Sequence, residues 1–230
     1  HCDSFVLAQK SQDLFVCAEL GGDKEKVFLY DRRSHTSRQI GPSYGCFDPF
    51  FGAAAILPND AIVMKWQSFG TPPSLIALTA PAYDKWEKSI SFERSTNDSK
   101  RHLESAYTKS SDGARTHLLV ARPEKKTTTA TNKKIPFVID VHGGPHGIAR
   151  DEFLPEAHMW LDQGYGYCAV NYRGSIGFGR DFERKIYGNP GYWEVQDVVA
   201  ARAWLVDNKS ADPDNIVLTG WSLGGYVTLL

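Results

Sequence analysis

Short apolar runs separated by polar turns make up residues 1 to about 95 of the chain. The runs are rich in β-branched and aromatic residues and lack helical periodicity, so each of them predicts a short β-strand. The predicted strands are 5–8, 14–18, 27–30, 37–40, 53–57, 61–66 and 74–78. Predicted turns lie between them at 21–23, 32–35, 58–60 and 70–73.

These strands form two groups of about four, and the groups repeat at a spacing of about 45 residues, which is typical of β-propeller blades. A piece of an unrelated β-sandwich is the alternative. Two blades cannot close a ring, because the smallest propellers have about four. Residues 1–95 are therefore predicted to be the C-terminal part of a longer propeller.

The pattern changes from Leu103 onwards. A hairpin is predicted from strands 103–108 and 116–121 around Ser111-Asp112-Gly113, and the polar stretch 124–134 is predicted to be a solvated loop. Further on, strands at 135–141, 165–170 and 215–219 alternate with helices at 153–161 and 193–207. The first helix has an apolar face made by Phe153, Ala157, Trp160 and Leu161, and the second has a stripe made by Val195, Val198, Val199, Ala201 and Leu205. Alternating strands and helices predict a doubly wound, mainly parallel sheet.

Composition narrows the class of protein. The chain is 42% hydrophobic and carries a net charge of −1, which argues against a nucleic-acid or polyanion binder. The four cysteines have no metal-type spacing and are too sparse for a disulfide framework. No apolar run approaches the length of a membrane span. The chain begins with His1, so we expect a processed product or a piece of a longer protein.

Candidate chemistry lies in Gly220-Trp221-Ser222-Leu223-Gly224, between an apolar strand and an apolar helix start. Strand, Gly-x-Ser-x-Gly and helix form the nucleophile elbow of α/β-hydrolases, which holds the serine on a strained turn. Gly220 and Gly224 are expected because the strand and helix cross too closely for a β-carbon. A glycine-rich turn with a solvent-facing serine is the alternative.

A second glycine-rich segment, His142-Gly143-Gly144-Pro145-His146-Gly147, follows the strand 135–141. A loop in this place supplies a second oxyanion N–H in α/β-hydrolases. Glycines let its backbone turn inward towards a substrate. His142 precedes the glycines, so we interpret its side chain as a brace for the loop and not as a catalytic group.

These two motifs, together with Asn171-Tyr172-Arg173-Gly174-Ser175-Ile176-Gly177-Phe178-Gly179-Arg180 between them, resemble the prolyl oligopeptidase family of serine peptidases. The resemblance is to its acylaminoacyl-peptidase and dipeptidyl-peptidase-like branch, and it covers residues 60–230 well and 1–60 loosely. It implies a β-propeller followed by an α/β-hydrolase domain, here over 96–230 and cut after the elbow. It also implies a Ser-Asp-His triad without a cofactor or metal, acting on short peptides.

Position by position, the resemblance assigns the nucleophile to Ser222 and the oxyanion N–H groups to Gly144 and Leu223. Leu223 is a departure, because the family usually has an aromatic residue there. A backbone donor does not depend on its side chain, so the oxyanion hole is expected to survive. The residues His142, Gly143, Gly220, Gly224 and Arg173 are expected to support the site, with Arg173 pairing inside the fold.

The remaining triad members are not among the residues that follow Ser222. The triad of this fold runs Ser, then Asp or Glu, then His, yet all seven histidines precede Ser222. We therefore expect the Asp and the His beyond Leu230 and expect residues 1–230 to be inactive alone.

The expected function is that of a serine peptidase releasing N-terminal acylated residues or dipeptides. An esterase of the same fold and a non-catalytic binding chain are the alternatives. The expected partner is a short peptide, with no nucleic acid or membrane, while a homo-oligomer is left open. The expected location is cytoplasmic.

Overall fold

The computed structural model describes residues 3–22, 24–47, 54–91, 100–124, 134–209 and 211–230. The chain divides into two compact units. The first unit comprises residues 1–102 together with Arg150–Phe153, and the second comprises Leu103–Ala149 and Leu154–Leu230. The predicted domain boundary at 95/96 and most of the loop predicted at 124–134 lie outside the described residues.

The first sheet of the first unit is an antiparallel meander in the order β1-β2-β3-β4. Its strands are β1 (Asp3–Gln9), β2 (Leu14–Gly21), β3 (Lys24–Asp31) and β4 (Thr36–Ile40). Each overlaps a strand predicted from the apolar runs. Alternate residues of β2 are buried, among them Val16, Ala18 and Leu20, as expected for strands with one face on a core.

The second sheet of the first unit is also antiparallel, with the order β5-β7-β8-β9 and β6 paired to β7. Its strands are β5 (Cys46–Phe47), β6 (Ala54–Ile56), β7 (Ile62–Ser68), β8 (Thr71–Leu78) and β9 (Trp86–Ser91). Of these, β5 and β9 were not predicted.

The turn predicted at 70–73 is wrong in its position, because β8 already begins at Thr71. The register between β7 and β8 shifts between the pairs Trp66↔Ser74 and Ser68↔Thr71. Pro72 and Pro73 lie opposite this irregularity, at the start of the strand. A strand accepts proline at such places because a missing N–H there breaks no regular ladder bond.

Segment Arg150–Phe153 is anchored in the first unit by hydrogen bonds and an ion pair. The Asp151 carboxylate accepts the N–H of Gly45 at 2.9 Å and that of Phe69 at 2.8 Å. Arg150 Nη1 lies 2.6 Å from Oε1 of Glu25, which is buried. The prediction that a helix begins at Phe153 is therefore wrong, because Phe153 belongs to the first unit and the helix begins at Pro155.

The second unit is built on a mixed five-stranded sheet in the order β10-β11-β13-β12-β14. Its strands are β10 (Glu104–Lys109), β11 (Arg115–Ala121), β12 (Ile135–Val141), β13 (Gly166–Asn171) and β14 (Ala211–Gly220). The hairpin β10–β11 is antiparallel, whereas β12 runs parallel to both β13 and β14. The predicted hairpin and the predicted parallel strands are thus present, but they form one mixed sheet with two parallel and two antiparallel pairings and not a mainly parallel one.

Helix α1 (Pro155–Asp162) connects β12 to β13, and α2 (Arg180–Arg184) and α3 (Tyr192–Lys209) connect β13 to β14. Helix α4 (Leu223–Leu229) follows β14. Helix α3 buries Val198, Ala201 and Leu205 in the core of the second unit. Val199 was predicted in the same stripe, but 56% of it is exposed, so that prediction is wrong. Successive residues lie about 100° apart around a helix, so Val199 points away from the face that carries Val198. Of the helices in the described ranges, none is long and apolar enough to cross a membrane.

Candidate active site

Ser222 lies in the turn between the end of β14 and the start of α4. Its backbone has φ 55° and ψ −121°, a conformation that non-glycine residues rarely adopt. Such strain persists only where surrounding structure imposes it, and it is concentrated at functional sites. Ser222 is exposed, and so is Trp221 before it, with 81% of its surface accessible. The serine is therefore presented on the surface of the second unit.

Two glycines allow the strand and the helix to cross at this turn. A β-carbon at Gly220 would lie 2.5 Å from the carbonyl carbon of Gly224 and 2.8 Å from the Val141 carbonyl oxygen. A β-carbon at Gly224 would overlap the Val141 oxygen and lie 2.7 Å from that of His142. These are backbone atoms and cannot move aside as a flexible side chain would. The close approach of β14, α4 and β12 therefore depends on both glycines.

The segment 142–149, which we call the glycine loop, follows β12 and lies beside the turn of Ser222. A β-carbon on Gly143 would lie 3.0 Å from the Trp221 carbonyl oxygen and 3.5 Å from the Ser222 β-carbon. Gly144 has φ 141°, and a β-carbon there would lie 2.6 Å from the His146 nitrogen. The structure thus brings the two predicted motifs together and shows that the loop is tightly turned at Gly144.

Leu223 is the first residue of α4, and the first N–H groups of a helix have no carbonyl partner within it. In the same turn, the Gly224 N–H donates to the Trp221 carbonyl at 2.9 Å, and the Tyr226 N–H donates to the Ser222 carbonyl at 3.1 Å. These bonds fix the turn that carries Ser222. The assignment of the Leu223 and Gly144 N–H groups to an oxyanion hole stays a prediction.

His142 is held on both sides of its ring. Its Nδ1 donates to the Gly143 carbonyl at 2.7 Å, its Nε2 lies 2.8 Å from Ser175 Oγ, and its ring stacks on Tyr172 with centroids 4.3 Å apart. Burial lowers the pKa of His142 to about 4, because the charged imidazolium is poorly solvated there. These are contacts that a loop brace would make, although the bracing role itself stays a prediction.

Arg173 is buried and paired within the second unit. Its guanidinium lies 2.6 Å from Asp197 Oδ1 and 2.6 Å from Asp112 Oδ2, and it stacks over the Trp193 ring at 4.1 Å. These anionic partners raise the pKa of Arg173 despite the opposing effect of burial. The Arg173 guanidinium is thus bound by other residues of the second unit, as expected for a residue that supports the fold.

Three residues that contact the glycine loop were not singled out from the sequence. Asn171 hydrogen-bonds the backbone of Ala149, Tyr172 donates to the His142 carbonyl at 2.8 Å, and Ser175 faces His142. All three belong to the Asn171–Arg180 motif, which was the available signal. No three His, Cys, Asp or Glu side chains of the described residues come together as metal ligands do.

Comparison with known proteins finds a family model that matches part of the chain. The model of the prolyl oligopeptidase family matches residues 152–230, which include the elbow and the whole Asn171–Arg180 motif but not the glycine loop. Over this segment the chain is similar to the prolyl oligopeptidase family. The resemblance inferred from the motifs is thereby confirmed.

The relatives include peptidases from distant organisms. The chain is 34% identical over 95 residues to the human acylamino-acid-releasing enzyme. This alignment covers 41% of the chain and 13% of the relative. It is 40% identical over 100 residues to dipeptidyl aminopeptidase BIII of Pseudoxanthomonas mexicana, covering 41% of the chain and 14% of that enzyme. The matched regions are thus a small part of both relatives.

Among solved structures, a puromycin-hydrolysing peptidase of Mycobacterium tuberculosis matches with a TM-score of 0.82 at 23% identity. The match covers 94% of this chain and 33% of that one. At this identity the likeness concerns the fold alone. The chain therefore has the fold of that peptidase over about a third of its length.

Proposed function

We propose that the protein is a serine peptidase that releases N-terminal acylated residues or dipeptides from short peptides. The observation that carries the proposal is the strained turn of Ser222, placed beside Gly143 of the glycine loop. A strained serine next to a tightly turned, glycine-rich loop is the arrangement expected of an acyl-transfer site.

In the proposed reaction, Ser222 Oγ attacks the carbonyl carbon of the scissile peptide bond. Backbone N–H groups of Gly144 and Leu223 stabilise the oxyanion, the C–N bond breaks, and the amine product leaves with a proton. Water then hydrolyses the acyl-enzyme. Each oxyanion donor is worth about 3 kcal/mol of transition-state stabilisation. The Asp and His that would activate Ser222 are expected beyond Leu230, so residues 1–230 alone are expected to be inactive.

Similarity to two relatives supports the proposed substrate class. Similarity to an acylamino-acid-releasing enzyme and to a dipeptidyl aminopeptidase favours action at peptide N-termini. In the same proposal, the two antiparallel meanders of the first unit are the last blades of a propeller, and the second unit is the N-terminal half of a hydrolase domain. The short-peptide partner and the cytoplasmic location stay predictions.

Substitution of Ser222 by Ala in the full-length protein tests the proposal. Hydrolysis of N-acetyl-alanyl p-nitroanilide or of a dipeptidyl p-nitroanilide is expected to fall about 10⁶-fold, because the acyl-enzyme can no longer form. The far-ultraviolet circular dichroism spectrum is expected to be unchanged. Turnover close to wild type in this variant would overturn the proposal. A wild-type protein that cleaves p-nitrophenyl acetate but neither anilide would instead be an esterase.

A further inference from the structure

At the far end of the glycine loop, the backbone of Ala149 is bound by a buried side chain, that of Asn171. Asn171 is the last residue of β13 and is inaccessible to solvent. Its Oδ1 accepts the N–H of Ala149 at 2.7 Å, and its Nδ2 donates to the Ala149 carbonyl at 3.0 Å. Both polar backbone groups of Ala149 are thus bound by one amide, which fixes the position and the orientation of that residue.

The orientation of the Asn171 amide is dictated by its partners. A backbone N–H can only donate and a carbonyl can only accept, so Oδ1 must face the Ala149 nitrogen and Nδ2 the Ala149 oxygen. Nδ2 also lies 2.9 Å from Nδ1 of His117. Since Nδ2 is a donor, Nδ1 of His117 must accept. The His117 proton is therefore carried on Nε2, which lies 2.8 Å from Ser105 Oγ and donates to it.

The groups behind Asn171 form a rigid support. His117 is fully buried, and its ring packs against Tyr107 and Phe178 with centroid distances of 5.0 and 5.4 Å. Ser105 and His117 lie on the antiparallel pair β10–β11, and β11 pairs with β13 so that His117 is opposite Asn171. A chain of hydrogen bonds therefore runs from the hairpin through His117 and Asn171 to the backbone of Ala149.

The part of the glycine loop from Gly144 to Ala149 has little freedom to absorb a shift. The Ile176 N–H donates to the Gly147 carbonyl at 3.2 Å. At Gly144, a β-carbon would lie 2.6 Å from the His146 nitrogen and 2.7 Å from that of Gly147, so the turn is closely packed against its own backbone. Movement of Ala149 would consequently be passed along the loop towards Gly144.

We infer that Asn171 is a positioning residue for the oxyanion hole. By binding both backbone groups of Ala149, it sets the direction in which Gly144 presents its N–H, although it does not itself touch the substrate. This inference rests on the proposed function, and it assigns the Ser105–His117–Asn171 chain to the chemistry of Ser222.

The test uses the full-length protein carrying Asn171→Ala or Asn171→Asp. The aspartate variant keeps the size and the acceptor for the Ala149 N–H but removes both donations from Nδ2, so it remains informative if the alanine variant fails to fold. The substrate probe is N-acetyl-alanyl p-nitroanilide, and the reactivity probe is a fluorophosphonate. We expect kcat and the rate of phosphonylation to fall about 10- to 100-fold with KM little changed, as for a misplaced catalytic group.

The matched control is Tyr167→Phe on the same strand. Tyr167 is the second residue of β13, and its hydroxyl donates to Asp140 Oδ2 at 2.6 Å. This substitution removes a hydrogen bond at the opposite end of β13, so it is expected to lower thermal stability while leaving kcat near wild type. Ser105→Ala, at the outer end of the hydrogen-bond chain, is expected to lower kcat less than Asn171→Asp does.

Two results would overturn the inference alone. One is a reactive wild type together with a folded Asn171→Asp variant of unchanged kcat. The other is an equal loss of kcat in Tyr167→Phe, since the loss would then follow stability and not loop position. A wild-type protein that does not react with the fluorophosphonate would overturn the proposed function itself, and the inference with it.

Discussion

The carbonyl oxygen of Val141 occupies the place where Gly224 would carry a β-carbon. Val141 ends β12 and Gly224 is the second residue of α4, so this contact joins the strand before the glycine loop to the helix after Ser222. The loop and the elbow are consequently held together by backbone packing, in which no side chain takes part at this point.

Gly224→Ala is therefore expected to separate the loop from the elbow. The added methyl group meets two carbonyl oxygens of the backbone, so the helix must shift, and we expect both thermal stability and the reactivity of Ser222 to fall. The control is Gly225→Ala, whose β-carbon would lie 3.3 Å from the Gly220 oxygen and needs only a small adjustment. Differential scanning fluorimetry and fluorophosphonate labelling of both variants measure the difference. Equal behaviour of the two variants would contradict the account.

Gly144→Val tests the second oxyanion donor. With φ 141° and backbone atoms within 3 Å of the added β-carbon, the loop must reorganise and turn its N–H away. Loss of one donor costs about 3 kcal/mol, so kcat is expected to fall about 100-fold while KM changes little. Gly164→Val is the control, because Gly164 has φ 86° but nothing within 4 Å of an added β-carbon. A Gly144→Val enzyme with wild-type kcat would show that Gly144 is not the donor.

The elbow and the glycine loop could be predicted from the sequence because their chemistry depends on residue types at fixed spacing. The pattern of Gly220, Ser222 and Gly224 between two apolar runs predicts a tight strand-to-helix crossing. The parallel pairing of β12 with β13 and β14 could also be predicted, because apolar runs alternating with helical stripes favour a parallel sheet.

Other features depend on partners that are distant in the sequence. Val199 is apolar and was predicted in the buried stripe, but its exposure is decided by which face of α3 meets the sheet. Pro72 and Pro73 indicate a turn locally, whereas a register shift against β7 admits them to β8. The bond from Asn171 to Ala149 joins a side chain to a backbone, and no residue type at position 149 signals it.

The Arg173–Asp197 pair gives a prediction for stability. Asp197 is inaccessible to solvent and accepts hydrogen bonds from Nε, Nη2 and the backbone N–H of Arg173. Arg173→Met leaves the Asp197 carboxylate buried without its cation, which is expected to cost about 3–5 kcal/mol in urea unfolding. The double variant Arg173→Met, Asp197→Leu is expected to regain most of that loss. A single variant as stable as wild type would contradict the assigned structural role.

The lowered pKa of His142 predicts a loss of stability in acid. Its folded-state pKa of about 4 lies below the ordinary value of 6.5, so the unfolded chain binds more protons between these two values. The free energy of unfolding is therefore expected to decrease as the pH falls from 6.5 towards 4. The dependence of Tm on pH should be weaker in His142→Gln than in wild type, and unaltered in the exposed control His102→Gln. A pKa of 6.5 or higher for His142, measured by NMR titration, would refute this explanation.

The central claim is that Ser222 is an activated nucleophile, and covalent labelling tests it most directly. The full-length protein is treated with a fluorophosphonate, digested, and the modified residue is located by mass spectrometry. The account predicts one modified residue, Ser222, and no labelling in Ser222→Ala. A native protein that is not labelled, or one that is labelled at another serine while Ser222 stays unmodified, would contradict it.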